Sequence, residues 1–238
     1  MCGEWLRSSI GKKTLMALSG LILVGFVIMH LAGNLLIFLG ADAINAYAKK
    51  LRDLGPMLWV ARAGLLLAVI VHLVTSLQLS IENRRARPVR YAVQRWAETT
   101  LAARTMMLSG LLLLAYVVYH LLHVTFHVAH PELTRFTDHG GRISVYAMVV
   151  LSFQRWPIVL AYMMGMAALG LHLSHGIASS AQTLGVNSER TIRIFAWIGR
   201  LLAFLLFAGY TAIPVAVLLG FVGQELIVTS PSASPGFP

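Results

Sequence analysis

The sequence predicts an all-α integral membrane bundle of five transmembrane helices, with the N-terminus in the cytoplasm and the C-terminus outside. Three observations predict it. Of 238 residues, 58% are hydrophobic and only 12% charged, which leaves too few polar side chains to cover a water-soluble globule of this size. Five stretches, about 14–39, 57–81, 104–128, 157–181 and 196–223, are long and apolar enough to cross a hydrocarbon core of about 30 Å, which takes about 20 residues. Finally, LSGLILVGFVIMHL (18–31) recurs as LSGLLLLAYVVYHL (108–121), an offset that lays Ser19 on Ser109, Gly20 on Gly110 and His30 on His120.

Taken in order, the first stretch is too long for the apolar region of a signal peptide and lacks a small-residue cleavage site, so it reads as a retained span. GADAINAYAKKLRDLGP (40–56) joins it to the second, with Gly55-Pro56 breaking the chain just before that helix starts. An arginine-rich segment, 82–104, returns to the third span. The longer connection 128–156 contains RISVYAMVVLSF, which is too short to cross and reads as an interfacial helix ending near Pro157, a residue suited to the first turn of span four. Span five has no counterpart in the repeat, and Pro214 inside it predicts a kink. Residues 1–225 form one domain, followed by a disordered Ser/Pro-rich tail, 226–238.

The formal charge of +10 does not point to nucleic acid, because the basic residues stand at the ends of apolar spans. Arg7, Lys12, Lys13, Arg84, Arg85, Arg87, Arg90, Arg95, Arg104, Arg190, Arg193 and Arg200 fall on one side; Lys49, Lys50, Arg52, Arg62, Arg135, Arg142 and Arg155 fall on the other. The richer side is cytoplasmic by the positive-inside rule, in a multi-pass protein of the cell inner membrane surrounded by lipid. A single cysteine, Cys2, excludes an internal disulfide, a thiolate-bound iron–sulfur cluster and a covalently attached c-type haem.

Ionisable residues inside a membrane are costly and usually functional, which directs attention to the nine histidines. His30 lies 16 residues beyond Thr14, and His120 lies 16 beyond Arg104. Both therefore sit about 24 Å from the inner surface. On the returning spans His72 is 10 residues short of Glu82 and His172 is 11 short of Thr183, so both sit about 15–17 Å from it. The result is an outer pair, His30 with His120, and an inner pair, His72 with His172, at levels about 8 Å apart. Two bis-histidine pairs on four helices match what holds two b-type haems, with both axial positions filled and no site left open for oxygen. The same four imidazoles are the predicted metal ligands.

Ser19-Gly20 and Ser109-Gly110 lie near the inner level, where a missing side chain admits a flat macrocycle. His123 and His175 each stand three residues from a ligand and share its face, so either could replace its neighbour; the repeat favours His120. Met106, Met107, Met163, Met164 and Met166 read as packing residues, and Asn34 and Asn45 as hydrogen-bonding groups between elements.

The assembled strings resemble the cytochrome b membrane-anchor subunit of the succinate dehydrogenase/fumarate reductase family, specifically its single-subunit, five-helix, di-haem type. They are SGLILVGFVIMHLAGNLLIF, DAINAYAKKLRDLGPMLWVARAGLL, RTMMLSGLLLLAYVVYHLLH and YAMVVLSFQRWPIVLAYMMGMAALGLHLSHGIASSAQTLG, together covering about 10–190. The resemblance implies one haem ligand on each of the first four helices, falling on His30, His72, His120 and His172. It also implies a flavoprotein subunit that oxidises succinate and an iron–sulfur subunit that exchanges electrons with this chain, so that no succinate site lies here. The chain has neither a G-x-G-x-x-G string nor a cysteine cluster. The 82–104 segment and the 183–195 loop are the expected docking face for those partners.

The likeness to the di-haem type implies a membrane quinone, menaquinone, as redox partner. Its site candidates are Asp53, Trp59, Arg62 and His127: an acid and a histidine able to relay protons, and an arginine able to pair with a haem propionate. His127 is placed on the His120 face seven residues on. Some members of the family carry an acid near the fourth-helix ligand; here Gly170 precedes His172 by two and no Asp or Glu lies within a span. Two other readings remain: a haem b subunit of a nitrate reductase or hydrogenase type complex, and a histidine-based proton or metal transporter. A transporter leads one to expect acids or broken helices at the midplane, which the first four spans lack.

Overall fold

Each of the five apolar stretches forms a helix long and apolar enough to cross a membrane, making this an all-helical, multi-pass membrane protein. The computed structural model describes residues 4–5, 8–86, 100–133, 136–137 and 144–224. Cys2, Arg7, Arg87, Arg90, Arg95, Arg135, Arg142, the tail 226–238 and the middle of the expected docking segment lie outside those residues.

Helix α1 (Ser9–Asn34) starts at Ser8, whose hydroxyl accepts from the Gly11 N–H, and continues as a 3-10 segment, Leu35–Leu39. Gly40, at φ 96°, turns the chain into α2 (Ala41–Asp53). The connection between the first two spans is thus largely a helix, of polar composition, that buries Ile44 and Asn45. Gly55 and Pro56 then open α3 (Pro56–Arg85) as expected. A single helical turn, Leu101–Arg104, leads into α4 (Met106–Val124).

Helix α4 stops four residues earlier than expected. The Val128 N–H bonds back to the Leu122 carbonyl, six residues away, and His127 takes a left-handed φ of 56°, where glycine is usual. His127 therefore does not share a helical face with His120.

Helix α5 (Val145–Phe153) begins at the Ser144 cap, and α6 (Trp156–Thr183) carries Pro157 in its first turn. The short helix expected here forms as α5, and it is buried within the protein. Tyr146, Ala147, Met148, Val150, Ser152 and Phe153 are buried; a helix without a polar face has no side to give to water, and here the end of the bundle beyond His30 closes over it. Asn45 ties α2 to it, donating to Ser144 Oγ at 3.3 Å and accepting from the Tyr146 N–H at 3.1 Å. Helix α7 (Glu189–Leu218) runs through Pro214 as one element.

Backbone packing joins α3 to α1, α1 to α6, α6 to α4, and α7 to α6 above all. The diagonals, α1 with α4 and α3 with α6, are not packed extensively. Helix α6 is central, with 44% of its most apolar window buried against 6% for α3. The largest core lies at the end of the bundle beyond His30, where Ile37, Ile44, Val150, Phe153, Tyr162 and Ile213 meet. At the opposite end, Lys12 of α1 pairs with Glu82 of α3 and sets the two at one level of the first hairpin.

Candidate functional site

The histidines cross the two loosely packed diagonals. His72 of α3 faces His172 of α6 with ring centres 6.2 Å apart and planes at 71°. The first hairpin holds His72 through its own repeat segment: the imidazole Nδ1–H donates to the Met16 carbonyl at 3.0 Å. The second hairpin does the same for His172, whose Nδ1 lies 3.2 Å from Ser109 Oγ. The Ser109 hydroxyl donates to the Met106 carbonyl at 3.1 Å, and Met106 stands where Met16 stands in the first copy.

Gly20 and Gly110 complete this cradle. A Cβ on Gly20 would stand 3.1 Å from His72 Cε1, and one on Gly110 3.4 Å from His172 Cε1. The clearance expected to admit a macrocycle is thus taken up by the inner imidazoles themselves. His175, one turn beyond His172, is half-buried and turns no ring toward His72.

The level difference between the pairs also needs correction. Gly20, against the inner pair, is ten residues from His30, and Gly110 is ten from His120, which is about 15 Å of rise rather than about 8 Å. Counting from the Lys12–Glu82 pair gives 18 residues to His30 and 10 to His72, a difference of about 12 Å. Helix ends read from composition put the membrane surface at Thr14, whereas the ion pair sets the common level two residues earlier.

His30 of α1 and His120 of α4 form the outer pair, with ring centres 6.0 Å apart and planes at 84°. Phe26 stacks on His30 at 5.3 Å, and Tyr210 of α7 tilts over it at 6.2 Å while its hydroxyl donates to the Val27 carbonyl at 2.8 Å. On the other side Tyr116 leans on His120 at 5.9 Å, and the Tyr162 hydroxyl lies 3.2 Å from His120 Nδ1. Gly165 of α6 seats the Tyr116 ring, since a Cβ there would stand 2.3 Å from Tyr116 Cδ2. His123 points elsewhere: both its nitrogens are engaged, by Tyr162 at 2.9 Å and Ser152 at 3.0 Å.

Two imidazoles sharing one metal at about 2 Å per bond, with about 1.1 Å from ring centre to nitrogen, have centres about 6 Å apart. Both pairs stand at that separation. At three of the four rings Nδ1 already has a protein partner, which leaves Nε2 for a metal in the usual inner-and-outer division of a ligating histidine. The donor set, two imidazoles per level, would fit a haem iron. Among the described residues no group of three or more His, Cys, Asp or Glu side chains converges as for a bare metal ion.

The quinone candidates lie apart from this centre. Trp59 is 68% exposed, with Arg62 over its ring at 4.9 Å, and Asp53 at the end of α2 pairs with Lys49. Among the described residues none of the three, nor His127, makes a hydrogen bond, ion pair or ring contact with His30 or His120. Met166 is buried and Met163 packs on the larger core, whereas Met164 is exposed. Asn34 turns back onto the His30 carbonyl at 2.6 Å.

Sequence reasoning missed Tyr116, Tyr162, Tyr210 and Ser152. Their only signal was hydroxyl groups inside otherwise apolar segments, where each must find an internal partner. It also missed the rim outside the outer pair, where His130 lies 3.3 Å from the Tyr119 hydroxyl and Arg155 donates to Glu132 at 2.7 Å.

Compared with protein-family models, with characterised proteins and with solved structures, the chain matches none of them.

Proposed function

We propose that this chain is the di-haem b membrane subunit of a succinate:quinone oxidoreductase. In this reading it anchors a flavoprotein and an iron–sulfur subunit on the cytoplasmic side of the cell inner membrane and exchanges electrons with a membrane quinone, menaquinone. The observation that carries the reading is the meeting of four histidines from four different spans as two pairs, at 6.0 and 6.2 Å, on the helix diagonals. Haem iron, when bound, supplies one-electron transfer at each level.

The residues of the chain do the rest. His30 and His120 hold the outer centre and His72 and His172 the inner one. Met16 and Ser109 orient the inner imidazoles through Nδ1. Apolar flanks exclude water, and the separation of about 12–15 Å divides a hydrocarbon core of about 30 Å into shorter steps. The distribution of basic residues supports a cytoplasmic N-terminus.

The reduced-minus-oxidised spectrum of the purified chain tests the proposal: two b-type haems per chain are expected, and a colourless protein refutes it. His30→Ala and His120→Ala should each remove the same haem and spare the other. Removal of different haems by the two variants refutes the pairing.

A further inference from the structure

Ser152, His123 and Tyr162 make a buried chain whose hydrogen-bond direction can be read from one fixed end. The Ser152 hydroxyl donates to the Met148 carbonyl one turn back in α5, at 2.6 Å. With its proton committed, Ser152 Oγ can only accept at its 3.0 Å contact with His123 Nε2, so Nε2 carries the hydrogen. His123 is 0% exposed and, among the described residues, no carboxylate hydrogen-bonds to it. Its imidazole is therefore neutral, with a single N–H. Nδ1 is then a lone pair, and at 2.9 Å it accepts the phenolic proton of Tyr162. That proton being spent, Tyr162 Oη accepts at its 3.2 Å contact with His120 Nδ1. His120 must therefore carry its hydrogen on Nδ1 and present Nε2 as a lone pair.

His72 and His172 reach the same state more directly. A backbone carbonyl, Met16, receives the Nδ1–H of His72, and Ser109, whose proton goes to Met106, receives that of His172. At His120 the receiving group is a phenol, which serves as an acceptor only because His123 takes its proton and Ser152 holds His123. The three are buried, Ser152 at 1% and Tyr162 at 8% exposed, so water does not substitute for any of them.

Resting on the haem reading above, we infer that Tyr162, His123 and Ser152 are positioning residues that fix the tautomer of His120 and tune the outer haem alone. An acceptor on Nδ1–H makes an imidazole a more basic ligand and favours the oxidised metal. Each bond in a polarised chain strengthens the next.

The test is a spectrally resolved redox titration of the full purified chain, the outer haem being the one lost in His30→Ala. Tyr162→Phe keeps the ring and removes the acceptor; the outer potential should rise and the inner stay at its wild-type value. Ser152→Ala should move the outer potential in the same direction by less, and Ser152→Thr, which keeps the hydroxyl, should restore it. Unchanged potentials in Tyr162→Phe and Ser152→Ala, or a shift of the inner haem instead, overturn the inference while the two-haem reading stands. If Tyr162→Phe loses the outer haem, the serine variants decide: a rise in Ser152→Ala alone supports the chain, and equal potentials overturn it. A wild-type chain without haem overturns both readings.

Discussion

Replacing Gly165 by alanine should disturb the outer histidine pair from the far side of a tyrosine. The new Cβ would stand 2.3 Å from Tyr116 Cδ2 and 2.4 Å from Cγ, about 1.1 Å inside the 3.4 Å at which ordinary contact begins. The ring has little room to retreat. Tyr162 packs edge-on against it at 5.4 Å, and His120 lies beneath it at 5.9 Å. Overpacking of this kind costs about 1–3 kcal/mol, which is roughly a 5- to 150-fold shift in a folding equilibrium. The helix itself gains up to about 1 kcal/mol when glycine becomes alanine, so the control must carry that gain without the clash. Gly64→Ala supplies it, because nothing lies within 4 Å of its Cβ position. Denaturant unfolding of the two variants in detergent should show Gly165→Ala destabilised by 1–3 kcal/mol, as estimated above, and Gly64→Ala at or above wild type. Equal stability of the two would refute the claim that Tyr116 is pinned between Gly165 and His120.

The two repeat glycines should respond differently, since a Cβ on Gly20 meets His72 at 3.1 Å and one on Gly110 meets His172 at 3.4 Å. Gly20→Ala should therefore weaken retention of the inner centre while Gly110→Ala leaves it, and equal haem retention in both would contradict the cradle. Asn45→Ala removes two hydrogen bonds at the start of α5, one to Ser144 Oγ and one from the Tyr146 N–H, a cost of about 1–3 kcal/mol. Amide exchange in α5 should accelerate, and exchange at the wild-type rate would show that Asn45 does not hold that helix. The backbone N–H of Glu132 and then the Arg155 side chain hold the Glu132 carboxyl below its ordinary value of 4.5. A group so depressed stabilises the fold above its unfolded value and loses that contribution as pH falls through its folded one. A carboxyl 13C titration should place its midpoint below 4.5 in the wild type and closer to that value in Arg155→Gln, and an identical midpoint in the variant would rule out the ion pair as a cause.

The number of spans, the placement of buried histidines and their sorting into two levels were legible in the chain because lipid imposes one-dimensional rules. A span must be long and apolar, and an imidazole inside it stands out. The pairing of His30 with His120 followed from a rise of 1.5 Å per residue, which needs no knowledge of neighbours. The spacing between levels did not, because it depends on where two helices share a height, and the Lys12–Glu82 contact sets that. Helix α2 was hidden by its polar composition. The face of His127 was lost to a left-handed turn that no glycine announced.

By itself the sequence determined an all-helical, multi-pass protein with four histidines poised in two pairs, since hydropathy and helical rise are properties of single segments. The repeat favoured His120, and only the tertiary structure shows what turns His123 away from His30. Its partners there are Tyr162 and Ser152, which are 42 and 32 residues away from His120 in the chain. Hydrogen-bond direction is a property of the whole network, and it exists only once α4, α5 and α6 are packed together.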